Sequence, residues 1–204
     1  CMQAVLRDAP KAELIVVDNA SKDGSLEYTR EHFPEVRVLA MDQNYGFARA
    51  VNEGIRAATR PYVILLNNDT EVEQGFTDAL VGALEADVRA FSAQAKLIQL
   101  QDPLKLDDAG NFYCALGWAF ARGKDRPSAD YEEQDEVFAA CAGAAVYRKA
   151  LFEEIGYFDE AHFAYLEDID IGWRARIFGY RNLYVPKARV LHAGSGTSGS
   201  RYNE

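Results

Sequence analysis

Two rhythms alternate along the chain. Short unbroken apolar runs stop at polar clusters, and between them apolar residues recur every third or fourth position, the marks of strands and amphipathic helices. The clearest run is Tyr62-Val63-Ile64-Leu65-Leu66, which follows Pro61 and ends at Asn67-Asn68-Asp69-Thr70-Glu71. Five apolar residues are too few for a membrane span and suit a strand buried on both faces, as in a parallel sheet covered by helices. Residues 13–18 and 36–41 repeat the pattern, leading into Asp18-Asn19-Ala20-Ser21 and Asp42-Gln43-Asn44-Tyr45-Gly46. Residues 25–33 suit a helix stopped by Pro34, and Phe47, Val51, Ile55 and Ala58 mark an amphipathic helix. A βαβαβ arrangement would set the ends at Asp18, Asp42 and 67–69 side by side along one sheet edge. Such edges are where open α/β sheets bind ligands.

In the second half, Phe76, Leu80 and Leu84 mark a surface helix over 75–86, and residues 88–100 read as a strand. Residues 101–136 are broken by Pro103, Gly110, Gly117, Gly123 and Pro127 into an excursion over the sheet edge, a place for a substrate-specific flap. Residues 137–147 form an apolar run expected to be one strand, followed by a short helix over 149–155 that stops at Gly156. Ile169, Trp173 and Ile177 recur every fourth residue, so a helix begins near Glu167-Asp168-Ile169-Asp170 with Ile169, Trp173 and Ile177 on its core face. A short strand over 189–192 ends in His192, and residues 194–200 are a glycine- and serine-rich loop or fraying end. Met2, Val5 and Leu6 look like the last turns of a helix, so the pattern opens midway. The expectation is a single domain truncated at both ends, its first strand outside the sequence, with a nucleotide-binding half over 1–87 and an acceptor or catalytic half over 88–204.

A chain of 204 residues that is 49% hydrophobic can bury a sizeable core. Its net charge of -10 argues against nucleic acid as a partner. An acidic protein that binds an anionic substrate needs a cation or clustered backbone donors to offset repulsion. Three cysteines without metal-type spacing give no disulfide framework, which fits a reducing, cytoplasmic compartment.

Several positions admit two readings. The cluster at 67–69 is either an Asx turn or, through Asp69, a hard-oxygen site for Mg²⁺ or Mn²⁺. Glu167, Asp168 and Asp170 complement a helix dipole or do chemistry. Gly143 is a packing glycine or a place of close backbone approach. Trp173 reads as core, which leaves Trp118, in the excursion, as the aromatic available to stack on an acceptor sugar.

Taken in order, Val17-Asp18-Asn19-Ala20-Ser21-Lys22-Asp23-Gly24-Ser25, Asn44-Tyr45-Gly46-Phe47-Ala48 with Asn52, and Leu66-Asn67-Asn68-Asp69-Thr70-Glu71 resemble one known family. Gly143-Ala144-Ala145, Gly156-Tyr157-Phe158-Asp159-Glu160, residues 167–174 and His192 continue the match. The chain resembles the family-two, inverting nucleotide-sugar glycosyltransferases of the GT-A fold, most closely their rhamnosyltransferase-like bacterial members. The resemblance implies an α/β, Rossmann-like, mostly parallel sheet flanked by helices, with a smaller acceptor-side region. It implies donor contacts from Asp18, Asn44, Asn67, Asn68, Asp69 and Gly143, and a Mn²⁺ or Mg²⁺ ion held by Asp69 and His192. Asp69 is the only carboxylate in the position of the family's DxD-type motif. Asp168 takes the place of the catalytic base, with Glu167 beside it on the acceptor side. The implied partners are a nucleoside-diphosphate sugar and a saccharide or lipid-linked acceptor, with peripheral association at the inner face of the plasma membrane. The Gln-x-x-Arg-Trp signature of processive synthases is missing, which favours transfer of one sugar. The competing readings are a nucleotidyltransferase and a non-catalytic nucleotide-sugar or glycan-binding module.

Overall fold

A computed structural model describes residues 1–194; the Ser195–Ser200 part of the glycine- and serine-rich stretch lies outside them. After α1 (Met2–Asp8) come β1 (Ile15–Asp18), α2 (Ser25–His32), β2 (Arg37–Ala40), α3 (Phe47–Ala57), β3 (Tyr62–Leu66), β4 (Thr70–Val72) and α4 (Phe76–Ala86). Then follow β5 (Ala90–Gln99), β6 (Leu106–Asp108), β7 (Asn111–Tyr113), β8 (Ala119–Ala121), β9 (Asp135–Val137), β10 (Ala144–Arg148), α5 (Phe152–Ile155), α6 (Glu167–Ile177) and β11 (Arg181–His192).

The main sheet runs β3-β10-β5-β11-β4, with β6 added to β5 and β9 to β11. β5 and β11 pair in parallel from Arg181 to His192, and β10 is antiparallel to both β3 and β5, so β3, β5 and β11 share one direction. The expected α/β class therefore holds. The central strand differs from the one the apolar run suggests. β5 is buried at every position except Gln99, because α4 covers one face through Phe76, Leu80 and Leu84 while Phe91 joins a second cluster with Ile55, Phe152 and Ile171 on the other. β3 is last in the hydrogen-bonded order and is buried only at Val63 and Leu65.

β1 and β2 pair in parallel, but as a separate two-stranded sheet; among the described residues β3 is hydrogen-bonded to neither. Only two of the three expected strand ends are thus neighbours, and Asp42 lies exposed beyond β2. The run 137–147 is two strands, not one: β9 ends at Val137, and small residues turn the chain before β10 starts at Ala144. α6 packs closely there, since a Cβ on Gly172 would lie 2.4 Å from Ala139 Cβ. β11 is three times longer than its last apolar run suggests, with its register broken between Val185 and Arg189. Pro186 lies inside that break; it has no N–H for the ladder and interrupts the sequence signal as well.

The inward face of α6 also departs from expectation. Glu167, Ile169, Ile171, Gly172 and Ala175 are buried, whereas Trp173 is 45% and Ile177 72% exposed. Trp173 leans instead on Tyr113 and Phe138, ring centroids 5.1 and 6.0 Å away. The excursion is ordered: β7 and β8 form a hairpin, Tyr184 Oη donates to Tyr131 O (2.9 Å), and fully buried Lys96 pairs with Glu132.

Candidate active site

β3 and β11 point the same way, and the short return strand β4 brings their carboxyl ends together. After β3, Thr70 Oγ1 donates to Asn67 O (2.6 Å), closing a turn, and β4 then pairs with β11 so that His192 faces Thr70. Ala193 N–H donates to Asp69 O (2.9 Å). His192 Nε2 consequently lies 3.3 Å from Asp69 Oδ1. Its other ring nitrogen, Nδ1, is 2.7 Å from Asp107 Oδ2, and Lys124 Nζ donates to Asp107 Oδ1 (2.6 Å).

The charges at this end are strongly coupled. The Asp107 hydrogen bond holds the His192 pKa above its ordinary value, against the opposing effect of burial. Burial pushes Asp107 upward, but hydrogen bonds from His192 and Lys124 outweigh it and leave its carboxyl below the usual range. Asp69 and His192 offer one oxygen and one nitrogen ligand facing each other, with side chains 19% and 14% exposed. That donor set fits a divalent cation of borderline character, and Mn²⁺ accepts imidazole more readily than Mg²⁺ does. Among the described residues no group of three or more such side chains is arranged to enclose a metal. The pair could therefore hold a cation only together with outside ligands.

Asp168 sits in the first turn of α6. Its Oδ1 accepts from Ile169 N–H (2.8 Å) and its Oδ2 from Asn111 Nδ2 (2.9 Å), and the nearby Ala142 backbone N–H favours the carboxylate form. Burial outweighs these donors and raises its pKa. Glu167 is 6% exposed, its Oε2 has no hydrogen-bond partner, and burial followed by repulsion from Asp168 pushes its pKa up to about 7. Behind them Asp108 is buried and raised to about 6. Burial is again the first cause; Gln94 Nε2 (2.9 Å) and Gly110 N–H (2.6 Å) pull downward, and Asp168 and Asp107 push upward.

One turn connects the two ends. Ala142 meets Asp168, while Gly143 O accepts from Asn67 N–H (2.9 Å), and a Cβ on Gly143 would press to 3.2 Å from Asn67 Nδ2. The close approach at Gly143 is thus to Asn67. A second grouping lies at the end of β1. Asp18 is buried and accepts from Ser21 N–H (3.3 Å). Asn19 Nδ2 donates to Asn44 Oδ1 (2.9 Å) and Gly46 O (3.0 Å), and Asn19 Oδ1 accepts from Tyr45 N–H (2.9 Å). Gly46, at φ 85°, leaves room for Phe163 O, which a Cβ would meet at 2.4 Å and which accepts from Phe47 N–H (2.7 Å). Phe163 belongs to the segment that leads into α6. Asn52 anchors the start of that segment through both N–H and C=O of Phe158.

Asp69, His192, Asn67, Gly143 and Asp168 are therefore linked through direct contacts and the 142–143 turn, and Asp18 and Asn44 are joined through Asn19. Asn68 is exposed, and Trp118 is 72% exposed in the β7–β8 connection. Sequence reasoning passed over Asp107, Asp108 and Asn111. Their signal was present in miniature: apolar Leu104 and Leu106 run into Asp107-Asp108, the same strand-then-acid pattern seen at 62–69.

The α/β sheet, with helices on its faces and polar groups gathered where its like-directed strands end, has the GT-A fold of glycosyltransferases of known structure. Residues 1–156 match the model of glycosyl transferase family 2, and the chain belongs to that family. Asp168 and His192 lie beyond the matched stretch. The chain is 29% identical to an N-acetylglucosaminyl-diphospho-decaprenol L-rhamnosyltransferase of Mycobacterium tuberculosis, over 91% of this chain and 68% of that one. It is 22% identical to a poly-beta-1,6-N-acetyl-D-glucosamine synthase of Staphylococcus epidermidis, over 88% of this chain and 42% of the synthase. Among solved structures, GalNAc-T7 with UDP, GalNAc and Mn²⁺ superposes with a TM-score of 0.76 at 18% identity, covering 94% of this chain and 40% of that one. A mannosyltransferase from Pyrobaculum calidifontis with GDP-Man and Mn²⁺ gives 0.63 at 18% identity, covering 91% and 49%. The chain thus spans less than half the length of the synthase and of both solved structures.

Proposed function

We propose that this domain transfers one sugar from a nucleoside-diphosphate sugar to a hydroxyl of a saccharide or lipid-linked acceptor, with inversion at the anomeric carbon. The observation that carries this reading is the facing pair Asp69 and His192 with Asp168 across the Ala142–Gly143 turn. Asp168 takes the proton of the acceptor hydroxyl as that oxygen attacks the anomeric carbon. The bond from the sugar to the diphosphate breaks, and its electron pair leaves with the nucleoside diphosphate. A raised pKa suits Asp168 to that task, because a base works best near the operating pH. Asp69 and His192, together with outside ligands, would hold a Mn²⁺ or Mg²⁺ ion, which would supply Lewis-acid stabilisation of the departing diphosphate. Asp18 and the loop 44–46 take the nucleoside, Asn67, Asn68 and Gly143 border the donor sugar, and Glu167 and Trp118 stand on the acceptor side. On this reading residues 1–87 bind nucleotide and residues 88–204 carry the acceptor and the chemistry.

The mycobacterial relative is named for N-acetylglucosaminyl-diphospho-decaprenol, a lipid-linked sugar, which supports a lipid-linked acceptor here; we place the work at the inner, cytoplasmic face of the plasma membrane. No helix among the described residues is long and apolar enough to cross a membrane; the association proposed is peripheral. The deciding measurement is a thermal-shift series on the full-length protein with UDP, GDP, dTDP and CDP, each with and without Mn²⁺ or Mg²⁺. A ligand that binds only the native state raises the melting temperature. A cation-dependent rise with one nucleotide is expected; no rise with any of them overturns the reading.

A further inference from the structure

The reading of Asp69 and His192 as a cation-holding pair raises the question of what keeps the imidazole in a form that can ligate. We propose that Asp107 is the positioning residue: it holds His192 as the Nδ1–H tautomer and leaves Nε2, beside Asp69, free to ligate, with Lys124 balancing the Asp107 charge. The inference rests on that cation-site reading and extends it to residues of the excursion.

The two ring nitrogens of a neutral histidine are not equivalent, and the hydrogen bond at one decides which is free at the other. An ionised carboxylate only accepts. The nitrogen facing Asp107 at 2.7 Å must therefore carry the proton; a lone pair there would oppose those of Oδ2. Nε2 lies 3.3 Å from Asp69 Oδ1, so in the neutral ring with Nδ1 protonated it is the nitrogen left to share a cation with that oxygen. The bond is sheltered, since the Asp107 side chain is 12% and the His192 side chain 14% exposed.

Lys124 reaches Asp107 Oδ1 from beyond β8, so each carboxylate oxygen has its own partner. A plain surface ion pair would leave Asp107 as exposed as Lys124, whose side chain is 57% exposed. Burial between an ammonium and an imidazole instead makes Asp107 a hinge pin between the excursion and the end of β11. The excursion would then be tied through one carboxylate to the geometry of the cation pair.

The test uses the full-length protein, with ¹⁵N-labelled histidine observed by NMR at pH 8.5 and Mn²⁺ binding followed by electron paramagnetic resonance in the presence of UDP, GDP or dTDP. The wild type should show His192 as Nδ1–H. Asp107→Ala should move it to the Nε2–H form and weaken Mn²⁺ about 10- to 100-fold, the usual loss for an outer-shell partner. Asp107→Asn retains a neutral acceptor and should rescue part of both effects, which also covers failure of the alanine variant to fold. Lys124→Met should keep the tautomer and weaken Mn²⁺ less than Asp107→Ala does. An unchanged tautomer with Mn²⁺ affinity within about twofold of wild type in Asp107→Ala overturns the positioning role. Wild-type protein that binds no Mn²⁺ overturns the cation reading instead, and the tautomer comparison still decides what Asp107 does.

Discussion

Asn111 Nδ2 donates a 2.9 Å hydrogen bond to Asp168 Oδ2. Asn111 opens β7 in the excursion, and Asp168 opens α6, so this bond joins the excursion to the carboxylate assigned as base. It favours the carboxylate form of Asp168 against the larger upward push of burial on its pKa.

Asp168→Asn preserves the shape and the Asn111 neighbour but removes the basic oxygen. Transfer should fall by about 10²- to 10⁴-fold, the usual worth of a positioned base, while nucleoside-diphosphate affinity measured by calorimetry stays near wild type. Retention of most of the turnover would reassign the base, with Glu167 next in line.

Asp69→Ala removes one half of the facing pair. Donor affinity should drop when Mn²⁺ or Mg²⁺ is present and change little when chelator replaces the cation. Equal affinity in mutant and wild type with the cation present would rule out a metal role for Asp69.

The pH dependence of stability should reveal Asp108. Its folded pKa of about 6 lies above the ordinary 3.8, so folding favours the neutral acid. The contribution of Asp108 is fully favourable below the unfolded pKa and is lost as pH rises through about 6. At pH 8 the buried charge costs up to about 3 kcal/mol by linkage. Asp108→Asn, which keeps an acceptor for Gln94 and Gly110, should raise the melting temperature at pH 8 and have little effect at pH 4. A gain of equal size at both values would show that charge burial is not the cause.

The rate should carry the same signature at Asp168. Because burial raises its pKa, kcat/KM should climb with pH through a midpoint above the ordinary carboxylate range. An acid limb at or below pH 4 would place the base in a solvent-exposed setting that this geometry does not provide.

Packing of α6 is testable without activity. Gly172→Ala would drive a methyl to 2.4 Å from Ala139 Cβ and 2.8 Å from its Cα, on a segment that is backbone and cannot swing aside. A loss of about 1–3 kcal/mol or more is expected for such overpacking, read as a lower denaturation midpoint.

Much of the fold was legible because burial leaves a periodic trace. Phe47, Val51 and Ile55 announced α3, and the stops after Asp18 and Leu66 announced strand ends where polar groups gather. The helix of the acidic cluster was legible as a helix but not in its facing. Trp173 and Ile177 share a period with Ile169, yet the inward face of α6 is chosen by Gly172, whose missing side chain lets the helix approach Ala139. Alanine- and glycine-rich packing of this kind carries little hydrophobic signal, which is also why the turn at 138–143 read as continuous strand.

What the linear chain determined by itself was the class of architecture and the kinds of groups at the strand ends, since local apolar runs and their polar stops depend only on neighbouring residues. What the tertiary structure alone decided was which of those groups meet. Asp69 finds His192 because β4 folds back onto β11, and Asp107 finds His192 because β6 joins the edge of β5. Those pairings come from strand register over separations of 123 and 85 residues, and no local pattern encodes a register between strands so distant.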